Sequence, residues 1–122
     1  MSLKKVLVVD DNQDAMNIMT SILKIAGYSV ITAKDGLEAM HKIQRENPAL
    51  ILLDVTMPEM DGFAVCESVK RNPKFSHIPI FMISANTDPA SRKRGLQAGA
   101  HDFITKPINP AETLRKIREL AD

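Results

Sequence analysis

Residues 50–54 read Leu50-Ile51-Leu52-Leu53-Asp54, four branched apolar side chains ending on an acid. A strand with one wet face alternates apolar and polar residues. A short unbroken apolar run bounded by polar residues fits a strand covered on both faces, as in a parallel sheet. The same form recurs outward in both directions. Val6-Leu7-Val8-Val9 runs into Asp10-Asp11, and Ile80-Phe81-Met82-Ile83 runs into Ser84-Ala85. Ser29-Val30-Ile31-Thr32-Ala33 and Phe103-Ile104-Thr105 complete the set.

Helix-period segments fill the intervals. Met19, Ile22, Leu23 and Ala26 form one stripe before Gly27, a C-terminal stop. Asp35 with Glu38 three residues on reads as a capping box for a helix through Ala39, Met40 and Ile43, which Asn47-Pro48 ends. A third helix runs from about Gly62 through Val65, Cys66 and Val69 to Asn72-Pro73. Asp88-Pro89 opens a fourth that stops at Ala98-Gly99. Its middle, Ser91-Arg92-Lys93-Arg94-Gly95, is so polar that this helix is expected to be the least buried. Asn109-Pro110 opens a fifth, with Leu114, Ile117 and Leu120. Strictly alternating strand and helix predicts right-handed crossovers and an α/β parallel sheet with helices on both faces. Ligands of such sheets bind beyond the carboxyl ends of the strands.

Composition is consistent with this and excludes other classes. The chain has 122 residues, room for one domain over residues 1–122. A chain of this size buries about two-thirds of its unfolded surface, so it needs no disulfide or structural metal. Lys+Arg is 16 and Asp+Glu 15, for a formal charge of +1, without the basic excess of a dedicated nucleic-acid binder. Trp is absent and aromatic residues are 4%, too few for a base-stacking platform. A lone cysteine, Cys66, leaves no internal disulfide and no cysteine metal cluster, and fits a reducing cytoplasmic setting. No apolar run approaches the ~18 residues of a membrane span, and the N-terminal run is too short for a signal peptide.

The strand ends concentrate chemistry on one edge: Asp10 and Asp11 from the first, Asp54 from the third, Ser84 from the fourth, Lys106 from the fifth. No glycine-rich phosphate loop follows the first strand. Three neighbouring carboxylates repel one another, and a divalent cation removes that cost. Mg²⁺ suits the set, since it takes hard oxygen ligands and leaves positions for water and phosphate oxygens. A carboxylate beside such an ion can act as a nucleophile toward phosphorus, while Lys106 and Ser84 supply charge and a donor for the transferring group. The expectation is a Mg²⁺-dependent (or Mn²⁺-dependent) aspartyl-phosphate site.

Val8-Val9-Asp10-Asp11, the segment Leu53-Asp54-Val55-Thr56-Met57-Pro58-Glu59-Met60-Asp61-Gly62, Ser84-Ala85 and Lys106-Pro107 fall in the order and intervals of a known family. Over essentially its whole length the chain resembles the CheY-like receiver domain of two-component response regulators. The resemblance implies a flavodoxin-like, doubly wound sheet of five parallel strands in the order 2-1-3-4-5. It implies that Asp54 is the phosphoacceptor and takes the group from a sensor histidine kinase or a histidine phosphotransfer protein. It also implies metal ligation by Asp10 (mainly through water), Asp11, Asp54 and the Thr56 backbone carbonyl. Lys106 would pair with the phosphoryl group, Ser84 would hydrogen-bond it, and Phe103 would be the aromatic that reorients. Thr56 and Asn86 would tune phosphoryl lifetime, and Lys106-Pro107 matches a position where the peptide bond is cis. Phosphate adds about −1.5 to −2 charges, and the response would be a switch in the surface of the fourth helix, fifth strand and fifth helix. The protein would catalyse only its own phosphorylation and dephosphorylation. Its partner downstream would be another protein or a fused output domain, with no direct nucleic-acid or membrane contact. No effector is visible in the 122 residues.

Two alternatives carry a different chemistry. A phosphatase of the haloacid dehalogenase type needs a second Asp two residues after the nucleophile, where this chain has Thr56, and has no room here for a cap domain. A docking pseudo-receiver normally lacks the acids or the lysine that are present here. The remaining polar signals read structurally. His41, His77 and His101 are dispersed without ligand spacing, and Arg92-Lys93-Arg94, like Arg115, Lys116 and Arg118, reads as a solvated helix face. Cys66 reads as core.

Overall fold

The computed structural model describes residues 4–55, 62–85 and 88–121. Strands and helices alternate throughout: β1 (Lys5–Val9), α1 (Gln13–Ile25), β2 (Ser29–Ala33), α2 (Gly36–Glu46), β3 (Leu50–Asp54), α3 (Gly62–Arg71), β4 (Ile80–Ser84), α4 (Pro89–Ala98), β5 (Asp102–Thr105) and α5 (Pro110–Ala121). All strand pairs are parallel, in the order β2-β1-β3-β4-β5. Every residue of β3 and β4 is buried, because both strands have neighbours on each side and helices on each face. β2 is an edge strand, and all but Ala33 of its residues are partly exposed.

Alternation along the strands divides the interior in two. Leu7, Val9, Ile51, Leu53, Ile80, Met82 and Phe103 pack with Ile43 of α2, Val65, Cys66 and Val69 of α3, and Ala98 of α4. The residues between them, Val6, Val8, Leu50, Leu52, Phe81, Ile83 and Ile104, pack with Met16, Met19 and Leu23 of α1 and Ile117 of α5. Successive strand side chains point to opposite faces, so each unbroken apolar run serves both layers at once. In α1 the deepest stripe is Met16, Met19 and Leu23, while Ile22 and Ala26 lie at its margin. In α4 only Gly95 and Ala98 are buried, so it is the helix least held by apolar contact.

The helix ends follow local chemistry. Asn12, Asp35 and Asp88 each cap a helix by accepting from the backbone N–H three residues on, at 2.9, 2.8 and 2.7 Å. Glu38 reaches back to the N–H of Lys34 at 3.3 Å, one residue before the cap, so the capping box is stretched. α2 closes on Asn47 in the left-handed region (φ 46), and α4 on Gly99 (φ 107). A Cβ on Gly99 would also press into the side chain of Lys70, whose Nζ donates to Ser76 O and Ile78 O just before β4. Glycine there lets α3 and α4 approach.

Candidate functional site

Register brings the strand ends level. Val9 of β1 pairs with Leu53 of β3, Asp54 with Ile83 of β4, and Ser84 with Thr105 of β5. Asp10 and Asp11 follow β1, Asp54 ends β3, Ser84 ends β4 and Lys106 follows β5, so all five lie on the carboxyl edge. Strand order reverses between β1 and β3, the crevice where doubly wound sheets place their ligands.

Asp10, Asp11 and Asp54 each present a carboxylate oxygen, and these atoms lie within 4.8 Å of one another. Asp10 and Asp54 are buried and Asp11 is exposed. The Asp10 backbone is anchored by its N–H donating to Ala33 O at 3.0 Å. Its Oδ1 accepts from the N–H of Asn12 at 2.9 Å. Asn12 is therefore at once the cap of α1 and the residue that orients Asp10. Asn12 escaped the sequence reading, although Asp-Asp-Asn before a helix is a recognisable cap signal.

Lys106 brings the opposing charge, its Nζ 2.9 Å from Asp54 Oδ2. Asp54 is 2% exposed and the lysine side chain about a third exposed (32%). The ammonium thus meets a buried carboxylate from the solvent side. The Lys106 N–H donates to Ser84 O at 3.1 Å, and the Lys106–Pro107 peptide bond is cis. Burial pushes the Asp10 carboxyl above its ordinary 3.8, and the neighbouring Asp54 charge adds to the rise. The Asn12 N–H and Lys106 pull the other way without cancelling it. Three clustered carboxylates, open to solvent at Asp11, are a hard-oxygen donor set suited to a small divalent cation.

Ser84 is buried at the end of β4, next in the chain to Ile83, which pairs with Asp54. Phe103 lies on the next strand, two residues further from the edge, paired with Met82, and its ring points into the layer beneath α4 at 2% exposure. The guanidinium of Arg92 covers that ring, with Cζ 5.1 Å from the centroid. The Phe103 backbone is gripped on the outer edge of β5: its N–H donates to Asp102 Oδ1 at 2.7 Å and its carbonyl accepts from Lys116 Nζ at 2.8 Å. Arg92 and Lys116, expected on solvated helix faces, both bear on Phe103. Thr56 and Asn86, assigned above to metal ligation and phosphoryl lifetime, lie outside the described residues. His41, His77 and His101 are exposed, and Cys66 is buried in the α3 core.

The model of the response regulator receiver domain matches residues 6–118. A probable transcriptional regulator (ycf27) of Cyanophora paradoxa is 44% identical over 117 residues, 96% of this chain and 48% of that protein. The chain spans about half the length of the first curated relatives it matches. The chemotaxis protein CheY4 of Vibrio cholerae superposes with a TM-score of 0.93 at 34% identity, covering 98% of this chain and 99% of that one. The receiver domain of a sensor histidine kinase from Pseudomonas aeruginosa PAO1 superposes with a TM-score of 0.90 at 28% identity, covering 98% of each chain. That structure holds a magnesium ion coordinated in its active-site cleft. Among the described residues no helix is long and apolar enough to cross a membrane.

Proposed function

The chain belongs to the response regulator receiver family, and from that premise we propose that Asp54 is its phosphoacceptor, in a Mg²⁺-dependent switch. The observation that carries this is the convergence of three carboxylates within 4.8 Å with an ammonium 2.9 Å from Asp54. Asp10, Asp11 and Asp54 would hold Mg²⁺ (or Mn²⁺). The ion supplies neutralisation of the crowded acids and of the phosphoryl oxygens.

The chain's own groups do the rest. An oxygen of the Asp54 carboxylate attacks the phosphorus of a phosphohistidine on a kinase or phosphotransfer protein. An O–P bond forms, the P–N bond breaks, and its electron pair returns to the imidazole nitrogen. Lys106, released from its ion pair with the free carboxylate, follows the charge onto the phosphoryl oxygens. The Ser84 hydroxyl donates to one of those oxygens. Its movement opens space toward Phe103 and biases the surface of α4, β5 and α5 between two states. Catalysis is confined to the protein's own phosphorylation and dephosphorylation. The recipient of the signal is a partner protein or an output domain on the same chain, which suits relatives about twice as long.

Intact mass tests the reading. After incubation with Mg²⁺ and acetyl phosphate, the wild type gains one base-labile phosphoryl group, and Asp54→Asn gains none. Lys106→Ala retains metal binding but loses the conformational response. Absence of an adduct on the wild type, or an equal adduct on Asp54→Asn, refutes the assignment.

A further inference from the structure

We propose that Gly62, the first residue of α3, is a positioning residue for Asp54: the side chain it lacks is the room in which the Asp54–Val55 peptide lies. The proposal rests on the phosphoacceptor reading and names what fixes the nucleophile in place. A Cβ built on Gly62 would lie 2.9 Å from Val55 Cα, 3.0 Å from Val55 Cγ1 and 3.1 Å from Asp54 O. The first and last of these atoms are backbone, so no change of rotamer relieves them. Gly62 is itself buried. The first turn of α3 therefore closes directly on the peptide that carries the phosphoacceptor.

Conformation gives no reason for this glycine. Gly27 and Gly99 have positive φ, and Gly62 does not. Alanine would fit its backbone and is the better helix former. The close approach to the end of β3 supplies the reason.

Nonbonded carbon atoms pack at about 3.5–4.0 Å, so a methyl group at position 62 forces α3 and the peptide apart by about 0.6 Å or more. α3 resists the move, because Val65, Cys66 and Val69 bury it in the core. The peptide sits at the end of its strand, where the Val55 N–H donates to Ile83 O at 3.2 Å. The peptide is what gives, and Asp54 goes with it. Asp54 Oδ2 lies 2.9 Å from Lys106 Nζ, and an oxygen of its carboxylate lies within 4.8 Å of one on Asp10 and one on Asp11. Reacting groups tolerate about 0.5 Å of misplacement, and 1 Å costs about a hundredfold in rate.

The test compares Gly62→Ala with Gly27→Ala, where φ 98 strains an added Cβ but nothing lies within 4 Å of it. The second variant loses stability without touching the site. In EDTA, amide hydrogen exchange is read by NMR at Val55 and, as internal reference, at Ile51, whose N–H donates to Pro79 O near the opposite end of β3. A loss of global stability speeds both amides alike, whereas displacement of the peptide speeds Val55 alone. The Val55-to-Ile51 exchange ratio rises about tenfold or more in Gly62→Ala and stays within about twofold of wild type in Gly27→Ala. At saturating Mg²⁺, the rate of phosphorylation by acetyl phosphate falls about 10- to 100-fold in Gly62→Ala and stays within about twofold of wild type in Gly27→Ala. Adding Val55→Ala to Gly62→Ala removes only the Cγ1 contact and recovers less than about threefold in rate, because the backbone contacts remain. Should Gly62→Ala alone not fold, this double variant carries the same two predictions. The proposal is overturned if the exchange ratio is unchanged, if the rate falls equally in both glycine variants, or if Val55→Ala restores the wild-type rate. A wild type that takes up no phosphoryl group refutes the phosphoacceptor reading instead, and the exchange ratio in EDTA still decides the role of Gly62.

Discussion

Replacing Asp10 by asparagine should make the metal-free protein more stable, although it removes a buried group of the candidate site. Asp10 and Asp54 are both buried, and their carboxylate oxygens lie within 4.8 Å. Two unit charges at that separation repel by about 3.5 kcal/mol at an effective dielectric of about 20. Lys106 offsets part of this, but it touches Asp54 and is about a third exposed. Asparagine keeps a carbonyl oxygen for the Asn12 N–H, now 2.9 Å from Asp10 Oδ1, and adds an amide that can donate to Asp54. A net gain of about 1–3 kcal/mol is expected, a rise of roughly 1 M in urea midpoint for a small domain.

The pH dependence has a definite sign. The folded pKa of Asp10 is raised above 3.8, first by burial and then by Asp54. Its contribution to stability is fully present below the unfolded value and is lost as pH rises through the folded one. The advantage of Asp10→Asn is therefore small near pH 4 and opens as pH climbs. Excess Mg²⁺ should narrow it again, because a protein with its full set of acids gains more from binding the ion. Urea titrations in EDTA and in Mg²⁺ across this pH range measure all three effects. An Asp10→Asn variant less stable than wild type in EDTA at neutral pH, or a gap that does not depend on pH, refutes the electrostatic account.

Two other perturbations probe the frame around the site. Burial pushes the Cys66 thiol up to about 11, so at pH 8 its thiolate fraction is about a hundredfold below that of the unfolded chain, and a thiol reagent should modify it only in denaturant. The same shift stabilises the fold fully below about pH 9 and is lost as pH rises through about 11, at roughly 1.4 kcal/mol per pH unit, so Cys66→Ala should flatten alkaline unfolding curves. Asn47→Ala removes the short polar side chain that makes the left-handed cap of α2 (φ 46) tolerable to a residue with a Cβ and should cost about 1 kcal/mol, whereas Asn47→Gly should fall within a few tenths of wild type by thermal or urea unfolding.

The elements were legible because each carries its own signal. Unbroken apolar runs such as Leu50–Leu53 declare strands covered on both faces, and Asp35, Asp88 and Pro89 mark helix starts within a residue or two. The polarity of α4 was legible for the same reason, since it is a property of one short window. The stretched capping box of α2 was not, because it depends on how the chain enters from β2. Neither were Met16 and Asn12, the first a member of the deepest stripe of α1 and the second the partner of Asp10.

The candidate site divides along the same line. The residue types at the strand ends, with the family resemblance, sufficed to single out Asp10, Asp11, Asp54, Ser84 and Lys106. Their distances come from strand order, which no local window encodes. β1 lies beside β3 although a strand and two helices intervene in the chain, and β5 reaches the acids only across β4. Gly62 was the least legible of all. In sequence it is a weak residue at a helix start, and it acquires meaning only when α3 closes on the peptide of Asp54 and Val55. Sequence alone determined the alternating elements, their two buried faces and the chemical character of one edge, because apolar periodicity and capping act over a few residues. Tertiary structure decided which acids meet, what opposes them and what confines the Phe103 ring, because those contacts join residues that only the folded sheet brings together.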